Sequence, residues 1–292
     1  MADRRAGRDM DDETKQQAGR VRLRPPAPTG FDPFDATPQE LARHGLPRRP
    51  DAATEGGLAA LWEQKAARYR HFEHLNPVVL DPSPLPAATP SALGPDPVDS
   101  AGYSLISGSG PFTSLFLTWT VPDLQFDPDP FGINSLHTFA GLGFLDVHTQ
   151  LTVTATQTIT CSLWAQGIGT IALAVRPGDV ISASLCLNTN AAGTAAYFFA
   201  NETTARTMSF SVDTGFPPAI TVDAGVTRDG VLRPGQSLAR FGTVYFDEIS
   251  AYNAAGHQSL LSGQAITMAD GATVLATPSE LTDYAFKVVS AR

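Results

Sequence analysis

Two hydrophobic periods divide this chain. Between about Glu55 and Tyr69, Leu58, Leu61, Trp62, Lys65 and Tyr69 recur every three or four residues, with Glu, Gln, Arg and Lys opposite them. That spacing predicts an amphipathic helix that docks on the rest of the molecule. Ahead of it, Thr37-Pro38-Gln39-Glu40 reads as a helix start. Thr37 can cap, Pro38 suits the first turn and Glu40 completes a capping box. Gly45 and Pro47 keep this first helix short. From Ala101 the period falls to two: Leu151, Val153 and Ala155 alternate with Thr152, Thr154 and Thr156. Strands are predicted over 112–121, 136–142, 149–159, 160–166, 169–175, 180–187, 194–200, 206–212, 219–226 and 241–247, then 264–268, 272–276 and 284–289. Pro177-Gly178-Asp179, Asn190 with Gly193, Arg228-Asp229-Gly230 and Asp270-Gly271 mark turns between them. Many short strands without an intervening helix predict an all-β fold, a large two-sheet antiparallel β-sandwich. The expected division is a charged tail over 1–34, a helical leader over 35–75, a Pro-rich connector over 76–99 and a β-sandwich domain over 100–292.

Composition narrows the function classes. At 42% hydrophobic, 292 residues can bury a full core without a disulfide framework. Residues 1–70 hold 13 of the 20 Lys and Arg against 11 acids, so the strand-rich remainder, with 7 basic and 18 acidic residues, carries −11 and the whole chain −9. An acidic, Lys-poor body lacks the basic footprint of a nucleic-acid binder and argues equally against an anionic membrane surface. The start, MADRRAGRDMDDETKQQ, has no apolar secretion core, and no run of apolar residues reaches membrane-spanning length. The expected location is therefore cytoplasmic, with export by another route the alternative. Cys161 and Cys186 read as two buried thiols or as a pair joined across neighbouring strands.

An ordered series of motifs resembles the glutamic peptidases (eqolisins), especially their bacterial relatives. Thr118-Trp119-Thr120-Val121-Pro122 is similar to that family's first core strand, and Thr138 to Gly143 to its Thr-Trp-Val-Gly-Ile strand. Ser162-Leu163-Trp164-Ala165-Gln166 resembles the Ala-Trp-Tyr-Glu strand, and Pro177-Gly178-Asp179-Val180-Ile181 the Pro-Gly-Asp-x-Ile turn. Asn201 to Thr204 and Phe241 to Phe246 match later segments. The segment from Phe31 to the Trp62 helix resembles a leader found ahead of bacterial members. The resemblance implies a concanavalin-like jelly roll and an acid endopeptidase chemistry in which a glutamate and a glutamine share one water, without a metal or other cofactor. It puts the catalytic glutamine at Gln150. At the catalytic glutamate it puts Ala219, within Pro218-Ala219-Ile220-Thr221-Val222-Asp223. It also replaces the family's Gly-Ile-Asp acid by Gly143 and an accessory glutamate by Gln166.

Those departures fall on the implied cleft, and alanine can move no proton. The first expectation is thus a non-catalytic member that binds an extended peptide or glycan in its groove, with Phe139, Trp164 and Gln166 as binding residues. Its rival is an active acid endopeptidase using Gln150 and another carboxylate. Asp223 is the weak candidate, since four strand residues separate it from Ala219, about 13 Å; otherwise Asp223 is a solvated strand-end acid. A lectin-like or structural module is a third possibility. Gln150 reads as a cleft residue or a solvated one, and Trp164 as core or as a binding platform. His137, Asp146 and His148 are too loosely spaced to predict a metal site. The leader is a possible cover for the acidic body.

Overall fold

The computed structural model describes residues 21–44, 46–81, 99–187, 194–213, 217–228 and 237–291. The first 20 residues of the expected tail, most of the connector and the turns at Asn190 and Asp229 lie outside the described residues. Two helices precede the strands: α1 (Pro38–Arg43) and α2 (Gly56–Tyr69). The capping box forms as the sequence requires. Glu40 Oε2 accepts from the Thr37 amide at 2.8 Å, and the Glu40 amide donates to Thr37 Oγ1 at 3.2 Å.

The principal strands in chain order are β1 (Ser100–Ile106), β2 (Phe112–Thr120), β3 (Ile133–Leu142), β4 (Leu145–Thr154), β5 (Ile159–Ala165), β6 (Val180–Leu187), β7 (Thr194–Asn201), β8 (Arg206–Asp213), β9 (Thr221–Thr227), β10 (Thr243–Asn253), β11 (Thr273–Thr282) and β12 (Ala285–Ser290). They form two sheets. The site sheet runs Gln264–Ile266, β1, β9, β3, β4, β5, Gly169–Ile171, Val79–Asp81. The back sheet runs Val21–Leu23, β8, β7, β6, β2, β10, β12, β11, Met268–Asp270. Neighbouring strands along both orders are antiparallel.

Between the sheets lies one apolar core, where period-two alternation sends Leu115, Leu117 and Trp119 of β2 against Leu136, Ala140, Val147 and Leu151. Trp119 Nε1 donates to Thr149 Oγ1 at 2.8 Å, tying the sheets together through a buried polar pair. The Pro-Gly-Asp turn is anchored on both sides. Gly178 has φ +87°, Asp179 Oδ2 accepts from the Arg176 amide at 2.9 Å, and Asn201 Nδ2 donates to the same oxygen at 2.7 Å.

Helix α2 covers the outer face of the back sheet, not the site sheet. Trp62, Ala66 and Tyr69 pack with Phe198 and Ala200. Lys65, 3% exposed, reaches Thr118 Oγ1 and Ser182 Oγ at 2.9 Å, Glu202 at 2.8 Å, and Glu248. A buried ammonium is tolerable there only because two carboxylates and two hydroxyls replace its water.

Several expected boundaries shift. The predicted 149–159 strand begins four residues earlier, because a tight Gly143-Phe144 turn joins β3 directly to β4 and the Thr-rich stretch after Thr154 is a turn. The predicted 169–175 strand is only Gly169–Ile171. A strand missed by the prediction, β1, lies next to β9. Cys161 and Cys186 are free thiols, half-buried and on different sheets.

Candidate functional site

The outer face of the site sheet carries Gln150, Asp223, Trp164 and Phe139 of the sequence-predicted residues, and register orders it into three cross-strand rows. In β4 the residues facing the core are Leu145, Val147, Thr149 and Leu151, which leaves Asp146, His148 and Gln150 outside. Pairing then sets Ser104, Asp223, Gly141 and Asp146 in one row. The next holds Gly102, Gly225, Phe139, His148 and Trp164. The third holds Ser100, Thr227, His137, Gln150 and Ser162. Adjacent rows are two residues apart along each strand, about 6.6 Å.

The first row brings two acids together. Gly141 stands between Asp223 and Asp146 with no side chain of its own. A methyl group added there would lie 2.7 Å from Asp146 Oδ1 and 3.7 Å from Asp223 Oδ2. The two oxygens are therefore no further apart than the sum of those distances. Burial raises the Asp146 carboxyl to about 7, and the Asp223 charge adds to the rise. Burial also raises Asp223, though hydrogen bonds with Ser104 and Thr221 oppose it. Asp146 thus holds the tighter proton, and Asp223 is the more readily ionised of the two.

This corrects the expectation for Asp223. It is no solvated strand end; it sits third in β9 with Ser104 and Gly141 on either side. Nor does it share a face with Ala219. Ala219 precedes the strand, bridges to Phe112 of the back sheet and belongs to the core, at 1% exposure. Its methyl group fills the place beside Gly143, whose φ is +61°; a Cβ on Gly143 would come within 2.8 Å of it. The two positions where the resemblance implies carboxylates are thus in mutual contact, and small residues fill both.

Gln150 lies two rows from the acids, opposite His137 and Ser162. Among the described residues no acidic one occupies a position next to it on the sheet. Trp164 is half-buried on the outer face, not in the core, with its ring 5.4 Å from that of His148. Phe139, 6% exposed, is in the same aromatic row, 6.2 Å from the His148 ring. Gln166 is held in the turn after β5, its amide donating to Asp146 O at 2.8 Å and its carbonyl accepting from Tyr197 Oη at 2.9 Å.

Sequence reading passed over Asp146 and His148 as site residues because the predicted strand began at Thr149. Among the described residues no group of three His, Cys, Asp or Glu could hold a metal ion, and no helix is long and apolar enough to cross a membrane.

The peptidase A4 family model matches residues 99–289, from the start of β1 into β12. The chain belongs to the peptidase A4 family. Its fold is that of the glutamic peptidases. A crystal structure of scytalido-glutamic peptidase with a transition state analog inhibitor superposes with a TM-score of 0.54 at 14% identity, covering 66% of this chain and 98% of that one. SCP-B, a member of the eqolisin family of peptidases in complex with the tripeptide Ala-Ile-His, gives 0.51 at 13% identity, with the same 66% and 98% covered. No curated protein sequence matches the chain. The A4 domain therefore accounts for the sandwich, while the leader lies outside the matched residues.

Proposed function

We propose that this A4 domain binds an extended polypeptide across the outer face of the site sheet and hydrolyses it in acid, with Asp223 as base and Asp146 as acid. The observation that carries the reading is the pair of carboxyls facing each other over Gly141. Two acids at such separation do not ionise together, so one keeps a proton that the other can use. A peptide substrate is favoured because scytalido-glutamic peptidase was captured with a peptide-based transition state analog and SCP-B with a tripeptide.

The steps balance without a cofactor. Asp223 takes a proton from the water held between the acids, and the water oxygen bonds to the scissile carbonyl carbon. Asp146 gives its proton to the carbonyl oxygen, forming a neutral gem-diol. Collapse breaks the C–N bond. The proton on Asp223 passes to the leaving nitrogen, and one diol proton returns to Asp146. Peptide and water become acid and amine, and both carboxyls regain their starting states.

Ala219 favours a second reading, a groove that binds and does not cut. Small residues at both 143 and 219 remove the acids that the resemblance implies there. Digestion of acid-denatured casein at pH 4–6 separates the two. Cleavage lost in both Asp146→Asn and Asp223→Asn supports hydrolysis by the pair. A purified protein that binds casein peptides without cutting them leaves the binding reading alone standing.

A further inference from the structure

We infer that His148 donates a hydrogen bond from Nε2 to the substrate carbonyl oxygen as water adds, polarising it ahead of the proton transfer from Asp146. This rests on the hydrolytic reading of the Asp146–Asp223 pair, and it gives the carbonyl oxygen a donor one row from the acids, where Gln150 stands two rows away.

Placement comes first. His148 follows Asp146 by two residues on the same face of β4 and stands diagonally across from Gly141, over which the two acids meet. A carbonyl carbon above Gly141 is within reach of a water between the acids, and its oxygen can turn toward the next row. The side chain that projects there from the same strand as Asp146 is His148. Gln150 is a further row away.

The state of the ring follows from its surroundings. His148 Nδ1 is buried with no hydrogen-bond partner. Among the described residues Nε2 has no partner either, and unlike Nδ1 it is not a sealed atom, so that edge of the half-buried ring is the one left for a ligand. A proton on Nδ1 would be stranded, so the neutral ring carries it on Nε2, where substrate can accept it. Burial pushes the imidazole down to about 3, and the neighbouring His137 pushes the same way. Between about pH 3 and about 7 the ring is therefore neutral while Asp146 still holds its proton. His137, Trp164 and Phe139 fix its plane, with ring centroids at 5.7, 5.4 and 6.2 Å. A donor already aimed where charge appears needs no reorganisation during the reaction.

His148→Phe keeps the packing and removes the donor, whereas His148→Gln restores a donor of similar reach. Against a quenched fluorescent casein-derived peptide at pH 5, the Phe variant should lose about 10²–10³-fold in kcat with KM little changed. The Gln variant should recover at least tenfold of that loss. A phosphinic peptide, tetrahedral at phosphorus, should bind the Phe variant about 10²-fold more weakly than the parent, while the uncleaved peptide binds both alike. Full activity and unaltered phosphinate affinity in His148→Phe overturn the inference. If Asp146→Asn and Asp223→Asn are dead while His148→Phe is unimpaired, the acid pair stands and only the role of His148 falls. If both Asn variants cut normally, the hydrolytic reading itself is lost.

Discussion

Replacing Asp146 by Asn should stabilise this protein at pH 8 and leave it unchanged at pH 4. The carboxyl ionises near 3.8 in an unfolded chain and at about 7 in the fold. Below 3.8 both states hold the proton, so the group is neutral to stability. Between 3.8 and about 7 the native state keeps a proton that the unfolded state releases, so stability falls as pH rises. Above about 7 the whole penalty applies. About three pH units at about 1.36 kcal/mol each set a ceiling of about 4 kcal/mol. Asp146 retains partial contact with solvent, which screens the charge and reduces the expected effect to about 2 kcal/mol. Asparagine has the same shape and no charge, and the carboxyl has no hydrogen bond among the described residues that it would lose. For a body of this size the gain should appear as about 4–8 °C in Tm at pH 8 and within about 1 °C of zero at pH 4. Scanning calorimetry of both proteins at the two pH values is the test. An equal shift at both pH values, or a loss at pH 8, would refute the claim that Asp146 is a costly, proton-holding acid.

Other perturbations have equally definite outcomes. Gly141→Ala sets a methyl group 2.7 Å from Asp146 Oδ1, so peptide cleavage should fall more than tenfold while Tm moves by only a few degrees, because the displaced atom ends a mobile side chain. Gly225→Ala meets backbone instead, with its Cβ 2.2 Å from Ala101 O, and should cost about 1–3 kcal/mol in urea unfolding at any pH. Lys65→Met leaves Glu202 and Glu248 buried without their cation and should cost about 3–5 kcal/mol near pH 7. Adding Glu202→Gln and Glu248→Gln should restore much of that loss, and trypsin cleavage within α2 should track the same order.

The fold was legible because it rests on local rules. Period-two alternation, the Thr37–Glu40 box and the Pro-Gly-Asp turn each determine a few residues, and the structure contains each of them. The site was less legible because it depends on register, which no short window holds. Placing the start of β4 at Thr149 instead of Leu145 hid Asp146 and His148 in a supposed loop. Treating 219 and 223 as one regular strand put Ala219 on the same face as Asp223, when a bridge to Phe112 turns its methyl group into the core. The one signal available was Leu-Asp-Val-His-Thr-Gln-Leu at 145–151, which alternates cleanly and continues the Leu151–Ala155 pattern backwards. The ordered series of motifs implies acids at 143 and 219, whereas the two carboxyls that meet over Gly141 are those of Asp146 and Asp223.

The account turns on whether the two aspartates that flank Gly141 exchange protons with a bound water. The direct measurement is kcat/KM for a casein-derived peptide from pH 3 to 8 in the parent, Asp146→Asn, Asp223→Asn and Gln150→Ala proteins. The parent should cut in acid and lose activity as pH rises through about 7, where Asp146 gives up its proton. Both aspartate variants should fall at least 10³-fold, while Gln150→Ala changes by less than about tenfold. Cleavage that survives either aspartate substitution, or that vanishes only with Gln150, would contradict the account.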